Sequence, residues 1–369
     1  MLGKKIKKKN GSYDVDLYGL QGSFHVKNQK YILEDGSSTD YLQMCNKDRY
    51  HNYSGGLSNF IEKWVDDLSY GKLSELVTEV TGVEVLSLSG VQSYIACKAE
   101  SISKEWVSQS NSAVKEIEVL TDIMVCEADE EEIILMMDDV GVKAQKPHKK
   151  IERESGDAKR LDTTVILVQD KNKTYHYATK GIDKTGKTIY SVEQAIIDKV
   201  SQFHDLSQPL PIVAITDGAR SIRLTLQAIF GISICIILDW YHLQLKVKNL
   251  MSMIAFNKVD KEVYINDLKR FLWVGDAAEA IIYLDNMEKV RIQEKHKELR
   301  DYLEKHQKEI INYGARQKAN KTIGSGRCEK GNDLVVAHRQ KKKGMAWSRT
   351  GSSALAIIKT HRINLLLAA

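Results

Sequence analysis

From residue 131 to residue 239 the sequence sets several apolar runs of strand length in succession, then alternates them with amphipathic helical stretches. Few folds satisfy that order. Ile133 to Met137 is the first strand and runs into Asp138-Asp139. Thr163 to Val168, Thr174 to Thr179 and Thr188 to Tyr190 follow and read together as a meander. Ser191 caps a helix that turns Ala195, Ile196, Val200 and Phe203 inward. Pro211 introduces a strand over Ile212 to Thr216, and Asp217-Gly218 leads into a helix through Ile229. Ile232 to Leu238 is the last strand and ends at Asp239. The order predicts an α/β domain with a mixed sheet and helices on both faces.

The flanks have a different character. Residues 1–56 read as extended and irregular, with short alternating pieces (Tyr13, Val15, Leu17; Phe24, Val26) between Gly and Asn. Residues 57–125 read as a helical module. Phe60, Ile61, Trp64 and Val65 have helical spacing, Leu73, Leu76, Val77 and Val80 form a second stripe ending at Gly82, and Ser87 or Ser89 caps a third with Val91, Tyr94 and Ile95 inward. Two short helices joined near a glycine resemble a helix-turn-helix, although many helical hairpins share the pattern. The α/β core then spans 126–242 and 321–369, interrupted by a charged helical insertion over 243–320 with Leu243, Val247, Leu250, Leu268 and Leu272 as its apolar periods.

At 369 residues with 43% hydrophobic content the chain can bury a sizeable core. No apolar run approaches the roughly 18 residues that span a bilayer, so no membrane partner is expected. The basic start (Lys4 to Lys9) is not followed by an apolar stretch of secretory type. The five cysteines are odd in number, far apart and without a CxxC pair, which fits a reducing cytosol and argues against a thiolate metal site. The net charge of +5 is small, so its distribution matters more. From Gly324 onward nine Lys or Arg, including Arg339, Lys341, Lys342 and Lys343, face two acids, and a second cluster holds Lys143, Lys146, Lys149, Lys150 and Arg153. Both clusters suit a phosphate backbone, and both also suit a solvated surface.

Three acids stand out by position. Asp138 and Asp217 end apolar strands, and Glu329 opens a late helix after Gly324-Ser325-Gly326. Carboxylates converging on one sheet edge hold Mg²⁺ or Mn²⁺, and two such ions drive in-line phosphoryl transfer. Asp217 equally fits an ordinary helix N-cap, Glu329 a favourable place at a helix start, and Asp139 competes with Asp138. Asp239-Trp-Tyr-His242 can place an acid and an imidazole near the same edge, or His242 can simply line the next helix. Gly181 to Thr188 matches the phosphate-loop pattern GxxxxGK[ST] with Lys187 as its lysine. That loop needs a helix starting at the lysine, whereas Thr188 to Tyr190 reads as strand, so Asp183 to Gly186 is expected to be a hairpin turn.

The strand and helix order is that of a ribonuclease H-like domain. Five motifs in one order, Leu135-Met-Met-Asp138-Asp-Val-Gly141, Ile215-Thr-Asp217-Gly-Ala, Ile237-Leu-Asp239-Trp-Tyr-His242, Gly324-Ser-Gly-Arg-Cys-Glu329 and Lys342-Lys-Gly344-Met-Ala-Trp347, resemble DDE transposases of bacterial insertion sequences related to the Mutator group. The resemblance covers roughly residues 131 to 365. It implies Asp138, Asp217 and Glu329 as catalytic and metal-holding residues, two Mg²⁺ (or Mn²⁺) ions, and Asp239 and His242 as accessory residues. It also implies that the helical module reads terminal inverted repeats, that the partners are double-stranded element and target DNA, and that the chain is a homo-oligomer on DNA, cytoplasmic and nucleoid-associated. Lys146, Lys149, Lys150, Arg339 and Lys341 to Lys343 are expected along the DNA path, with Trp347 either stacked on an unpaired base or buried. Some relatives carry a cysteine-rich zinc segment near the amino terminus that is not found here, so the front end is expected to be divergent or shortened. The alternatives are a DNA-binding protein without chemistry and, through Lys187, a phosphate-loop ATPase.

Overall fold

In the computed structural model, which describes residues 5–45, 52–110, 113–146 and 159–368, the chain begins with β1 (Ile6–Gly19) and β2 (Gly22–Leu33), an antiparallel pair. The expectation of an irregular segment is corrected. Val15 lies opposite Val26 and Leu17 opposite Phe24, so the alternating apolar residues meet across the hairpin. The glycines serve its turn (Gly19, Gly22) and the irregularity between Lys9 and Ser12. β3 (Ser38–Asp40) adds to β2, and the short α1 (Tyr41–Cys45) follows.

Three helices come next, each capped by a serine whose hydroxyl accepts an amide of the first turn: Ser54 for α2 (Gly55–Trp64), Ser69 for α3 (Tyr70–Thr81) and Ser87 for α4 (Leu88–Gln109). Gly82 closes α3 in the left-handed conformation. The α3–α4 pair has helix-turn-helix order, but α4 is 22 residues long rather than short. Ser89, Gln92 and Ser93 in its first turns are exposed, while Val91, Tyr94, Ile95, Ala99 and Ile102 are buried.

The central α/β part comprises β4 (Ile133–Lys143), β5 (Arg160–Gln169), β6 (Tyr175–Ala178), β7 (Gly181–Ile182), β8 (Thr188–Tyr190), α5 (Val192–Phe203), β9 (Ile212–Thr216), α6 (Arg220–Phe230) and β10 (Cys235–Leu238). The main sheet is ordered β10-β9-β4-β5-β6, with β4, β9 and β10 parallel and β5 and β6 antiparallel to their neighbours. Period two along β4 sends Ile133, Leu135 and Met137 into a core shared with α5 and α6, and Ile134, Met136, Val140 and Val142 into the larger core of the opposite face. Two details depart from expectation. β8 leaves the meander and pairs only with β7. β10 starts at Cys235, because Ile232 lies 88% exposed in the turn after Gly231.

Asp239 then caps the first helix of a helical run: α7 (Trp240–Ile254), α8 (Lys258–Trp273), α9 (Ala277–Asp285), α10 (Gln293–Lys305) and α11 (Tyr313–Lys318). Leu243, Val247, Leu250, Leu268 and Leu272 are buried at the expected helical periods. Trp240, Trp273 and Tyr313 pack ring against ring, with Trp240 4.8 Å from Trp273. The chain returns through α12 (Gly326–Asn332), a π-helical segment (Asp333–Ala337), α13 (His338–Gln340) and α14 (Arg349–Ala368). α14 packs on α4 and crosses β6, so the amino-terminal helices and the sheet share one core. Among the described residues no helix is long and apolar enough to cross a membrane.

Candidate active site

Strand register sets the geometry. Met136 lies beside Ile215 in the β4–β9 pair, and Leu238 beside Thr216 in the β10–β9 pair. Asp138 lies two residues past Met136 on β4, Asp217 directly follows the end of β9 and Asp239 directly follows the end of β10, so the three acids lie toward one end of three adjacent parallel strands. β4 does not end at Asp138, as the sequence suggested, but continues to Lys143 along β5. Asp138 lies past the last residue paired with β9, and its side chain is half-buried. Alternation separates it from Asp139. Asp138 shares the parity of Met136 and Val140, hence the face that receives α12, while Asp139 accepts a hydrogen bond from Thr164 Oγ1 at 2.5 Å.

Asp217 Oδ1 accepts the Ala219 amide at 2.8 Å, so it does make a local cap. The next residue, Gly218, has φ +86°, and a Cβ there would lie 2.7 Å from His306 Cε1. His306 is buried, with its Nδ1 2.5 Å from Glu309 Oε2, and Arg223, which lies 3.0 Å from the same ring nitrogen, pairs with Glu309 at 2.5 Å. This support behind Asp217 gave no signal in the sequence, because its members come from α6 and from the segment after α10.

Asp239 is 1% exposed and works as a clamp. Its Oδ1 accepts the Tyr241 and His242 amides at 2.6 and 2.9 Å, capping α7, and its Oδ2 accepts both the amide and the hydroxyl of Ser325. The Gly-Ser-Gly segment is thus tied, through Ser325, to the residue after β10, four residues before Glu329. Burial alone would raise the Asp239 carboxyl, but the His242 and Ser325 hydrogen bonds outweigh it and hold the pKa at about 2. His242 Nδ1 sits 3.4 Å from Asp239 Oδ2, an ionic contact out of hydrogen-bond alignment, and Nε2 is 3.9 Å from Glu329 Oε1. The Asp239 carboxylate raises the His242 pKa, burial opposes the rise, and Asp217 and Glu329 add to it.

One further group was not foreseen. Asn332, three residues after Glu329 on the same helix, donates Nδ2 to Asp138 Oδ2 at 2.6 Å and leaves its own buried Oδ1 without a partner. The Asp138 carboxyl is pushed up by burial and by the charge of Asp217, against the Asp139 amide and Asn332, which lower it. Two hard carboxylates on one edge with that unrelieved repulsion, and a third carboxylate on a 59% exposed side chain beside His242, fit an oxygen-liganded divalent cation. Among the described residues no three His, Cys, Asp or Glu side chains already stand close enough together to hold an ion. Asp138 turns to Asn332, Asp217 to Ala219 and Glu329 to His242.

The expected DNA contacts divide. Lys341, Lys342 and Lys343 are exposed, although Lys342 Nζ also reaches Asp67 O at 3.1 Å, and Lys146 is exposed. Lys149 and Lys150 lie outside the described residues. Arg339 is corrected, and Trp347 takes the buried one of its two expected places: both are buried. Arg339 Nε donates to Val65 O at 3.0 Å with its guanidinium over the Tyr70 and Trp347 rings, and Trp347 Nε1 donates to Gln340 O at 3.0 Å. These groups join the helical module to the core and are not free for nucleic acid. The Asp183–Gly186 segment is a hairpin turn, in which Asp183 Oδ1 takes the amides of Thr185 and Lys187 at 2.9 and 3.0 Å. α5 begins only at Val192, so those amides are not offered to a phosphate. Compared with known proteins, the chain matches no family model and no curated sequence.

Proposed function

We propose that the chain is a DNA transposase of the DDE kind, cutting and joining DNA through Asp138, Asp217 and Glu329 on a ribonuclease H-like core. A first strand at the centre, two antiparallel strands on one side and two parallel strands on the other support the fold assignment. The observation that supports the function is that Asp138 and Asp217 each follow the last β4–β9 pair, Met136 and Ile215, by two residues, while the helix bearing Glu329 packs against β4. Within this proposal, bound Mg²⁺ or Mn²⁺, expected as two ions, would activate an attacking water or 3′-hydroxyl and stabilise the leaving oxygen. Asp138, Asp217 and Glu329 would hold the ions. Asp239 and Ser325 fix where the Glu329 helix begins, Asn332 orients Asp138, and Lys146 and Lys341 to Lys343 line the DNA backbone path.

The test uses purified protein, Mg²⁺ and a duplex from the DNA that brackets the gene. Nicking at the element end is expected, and Asp217→Asn abolishes it while leaving duplex binding within about twofold, since one neutralised carboxylate removes no phosphate contact. Normal cutting by that variant refutes the triad. Binding without cutting by the parent chain, indifferent to Mg²⁺, would instead establish a DNA-binding protein without chemistry.

A further inference from the structure

Asn332 is a polar residue in an apolar place. α12 buries Cys328 and Gly331, and Val335 and Val336 continue the buried stripe in the π-helical segment that follows. Asn332, four residues after Cys328, lies on the same side of the helix. The seat on the sheet is close. A Cβ on Gly331 would come 3.0 Å from Leu167 Cδ1 and from Tyr177 Cε1, and Cys328 Sγ lies 4.0 Å from Val165 O. At that separation the Asn332 amide meets the Asp138 carboxylate.

Half of that amide is used. Nδ2 donates to Asp138 Oδ2 at 2.6 Å, whereas Oδ1 is buried and has no hydrogen-bond partner among the described residues. A bare buried amide oxygen is destabilising, and an apolar side chain would sit on this stripe without it. The neighbouring carboxylate also has capacity to spare. Among the described residues one donor meets each of its oxygens, the Asp139 amide at Oδ1 at 2.7 Å and Asn332 Nδ2 at Oδ2. A carboxylate oxygen has room for two partners, so either can also take an ion. The two polar atoms of an amide are about 2.2 Å apart, which puts Asn332 Oδ1 within about 5 Å of Asp138 Oδ2. Two oxygens of one Mg²⁺ shell, each about 2.1 Å from the ion, are at most about 4.2 Å apart, a separation of the same order.

We propose that Asn332 Oδ1 is a further ligand of the ion that Asp138 would hold, a neutral oxygen added to the three carboxylates. This rests on the metal-dependent role proposed above and gives a task to an atom that the Asp-Asp-Glu set leaves idle. Amide oxygens are ordinary ligands of hard cations. Neutrality suits the position. The charge of Asp217 already bears on Asp138, and a fourth carboxylate would add to that repulsion and would oppose an incoming phosphate. Glu329 and Asn332, three residues apart on α12, would then bring two ligands on one helix.

Mn²⁺ binding to the full chain without DNA, followed by calorimetry and by loss of the free-ion paramagnetic resonance signal, tests this without any readout of cutting. The parent chain is expected to bind Mn²⁺, and Asp138→Asn and Asp217→Asn to lose it. Asn332→Ala weakens binding about tenfold or more. Asn332→Asp, which keeps an oxygen there and adds a charge, binds at least as tightly as the parent. An amide that serves only as a donor to Asp138 gives the opposite order, because Asn332→Asp then has no N–H to offer and binds no better than Asn332→Ala. Asn332→Cys supplies a second readout. Sulfur in place of oxygen shifts preference from Mn²⁺ to Cd²⁺ and adds a sulfur-to-cadmium absorption band above that of the parent's five cysteines. Parent-like Mn²⁺ affinity in Asn332→Ala, Asn332→Asp no tighter than Asn332→Ala, or no added cadmium band in Asn332→Cys overturns the assignment and leaves the triad standing. Mn²⁺ binding that is absent from the parent, or indifferent to both Asp138→Asn and Asp217→Asn, refutes the triad and this ligand with it.

Discussion

Asp239 accepts four hydrogen bonds from a position that is 1% exposed, so it is an anchor whose loss strands several donors. Asp239→Asn puts an amide against the Ser325 amide or the α7 amides and is expected to cost about 3 kcal/mol in urea unfolding. The dependence on pH has a definite sign. With a folded pKa of about 2, below the ordinary carboxyl value of 3.8, the charge contributes stability above pH 4 and loses it as pH falls through 2. The contribution is about 2 kcal/mol at pH 5 and about half that at pH 3, so the gap between parent and variant narrows over this interval. A constant gap refutes the assignment. At this scale the sequence was a partial guide. Strand-end acids can be read because apolar runs point at them. Ser325 and Asn332 cannot, since nothing near them in the chain says which carboxylate they meet. Arg339 read as surface because its burial is decided by Val65 and Tyr70, more than two hundred residues away.

At the scale of elements, the outer edge of β6 is the place a mixed sheet is most exposed to a second chain. α14 covers it by an amide clasp: Asn364 Oδ1 accepts the Tyr177 amide at 3.0 Å, and Asn364 Nδ2 donates to Tyr177 O at 2.7 Å. This explains why β8 does not continue the meander, since α14 occupies the edge it would have joined. Asn364→Leu leaves both backbone groups unpaired and is expected to cost about 2 kcal/mol, and light scattering should show self-association on warming. Asn364→Asp keeps the acceptor, loses the donor and should fall between. Equal stability of all three chains would mean the clasp contributes nothing. Periodicity gave the order of these elements, because each strand and helix carries its own apolar pattern. It could not give their lengths, and α4 continues to Gln109 because α14 covers its later turns.

At the scale of the molecule, the helical insertion is no appendage. One apolar core runs from Tyr53 through β4, β9 and β10 into α7 to α10 and back to Ile358. It is tied by Arg316, fully buried, which grips Glu132 at 2.7 and 2.8 Å and also donates to Val125 O and Thr322 O. Arg316→Ala leaves the Glu132 carboxylate nearly buried, with Lys321 at 3.5 Å as its remaining cation, and is expected to cost about 3 kcal/mol. The paired change Arg316→Met, Glu132→Leu removes both charges and should recover most of that loss. If the insertion and the sheet share a core, tryptophan emission and far-ultraviolet circular dichroism should follow one unfolding curve in the parent chain, because Trp240 and Trp273 report on the insertion while Trp64, Trp106 and Trp347 report on the rest of the chain. In Arg316→Ala the whole curve should move to lower urea without splitting. A separate early transition confined to the insertion tryptophans would show two cores rather than one, and Asp138 and Asp217 would then owe their placement to the sheet alone.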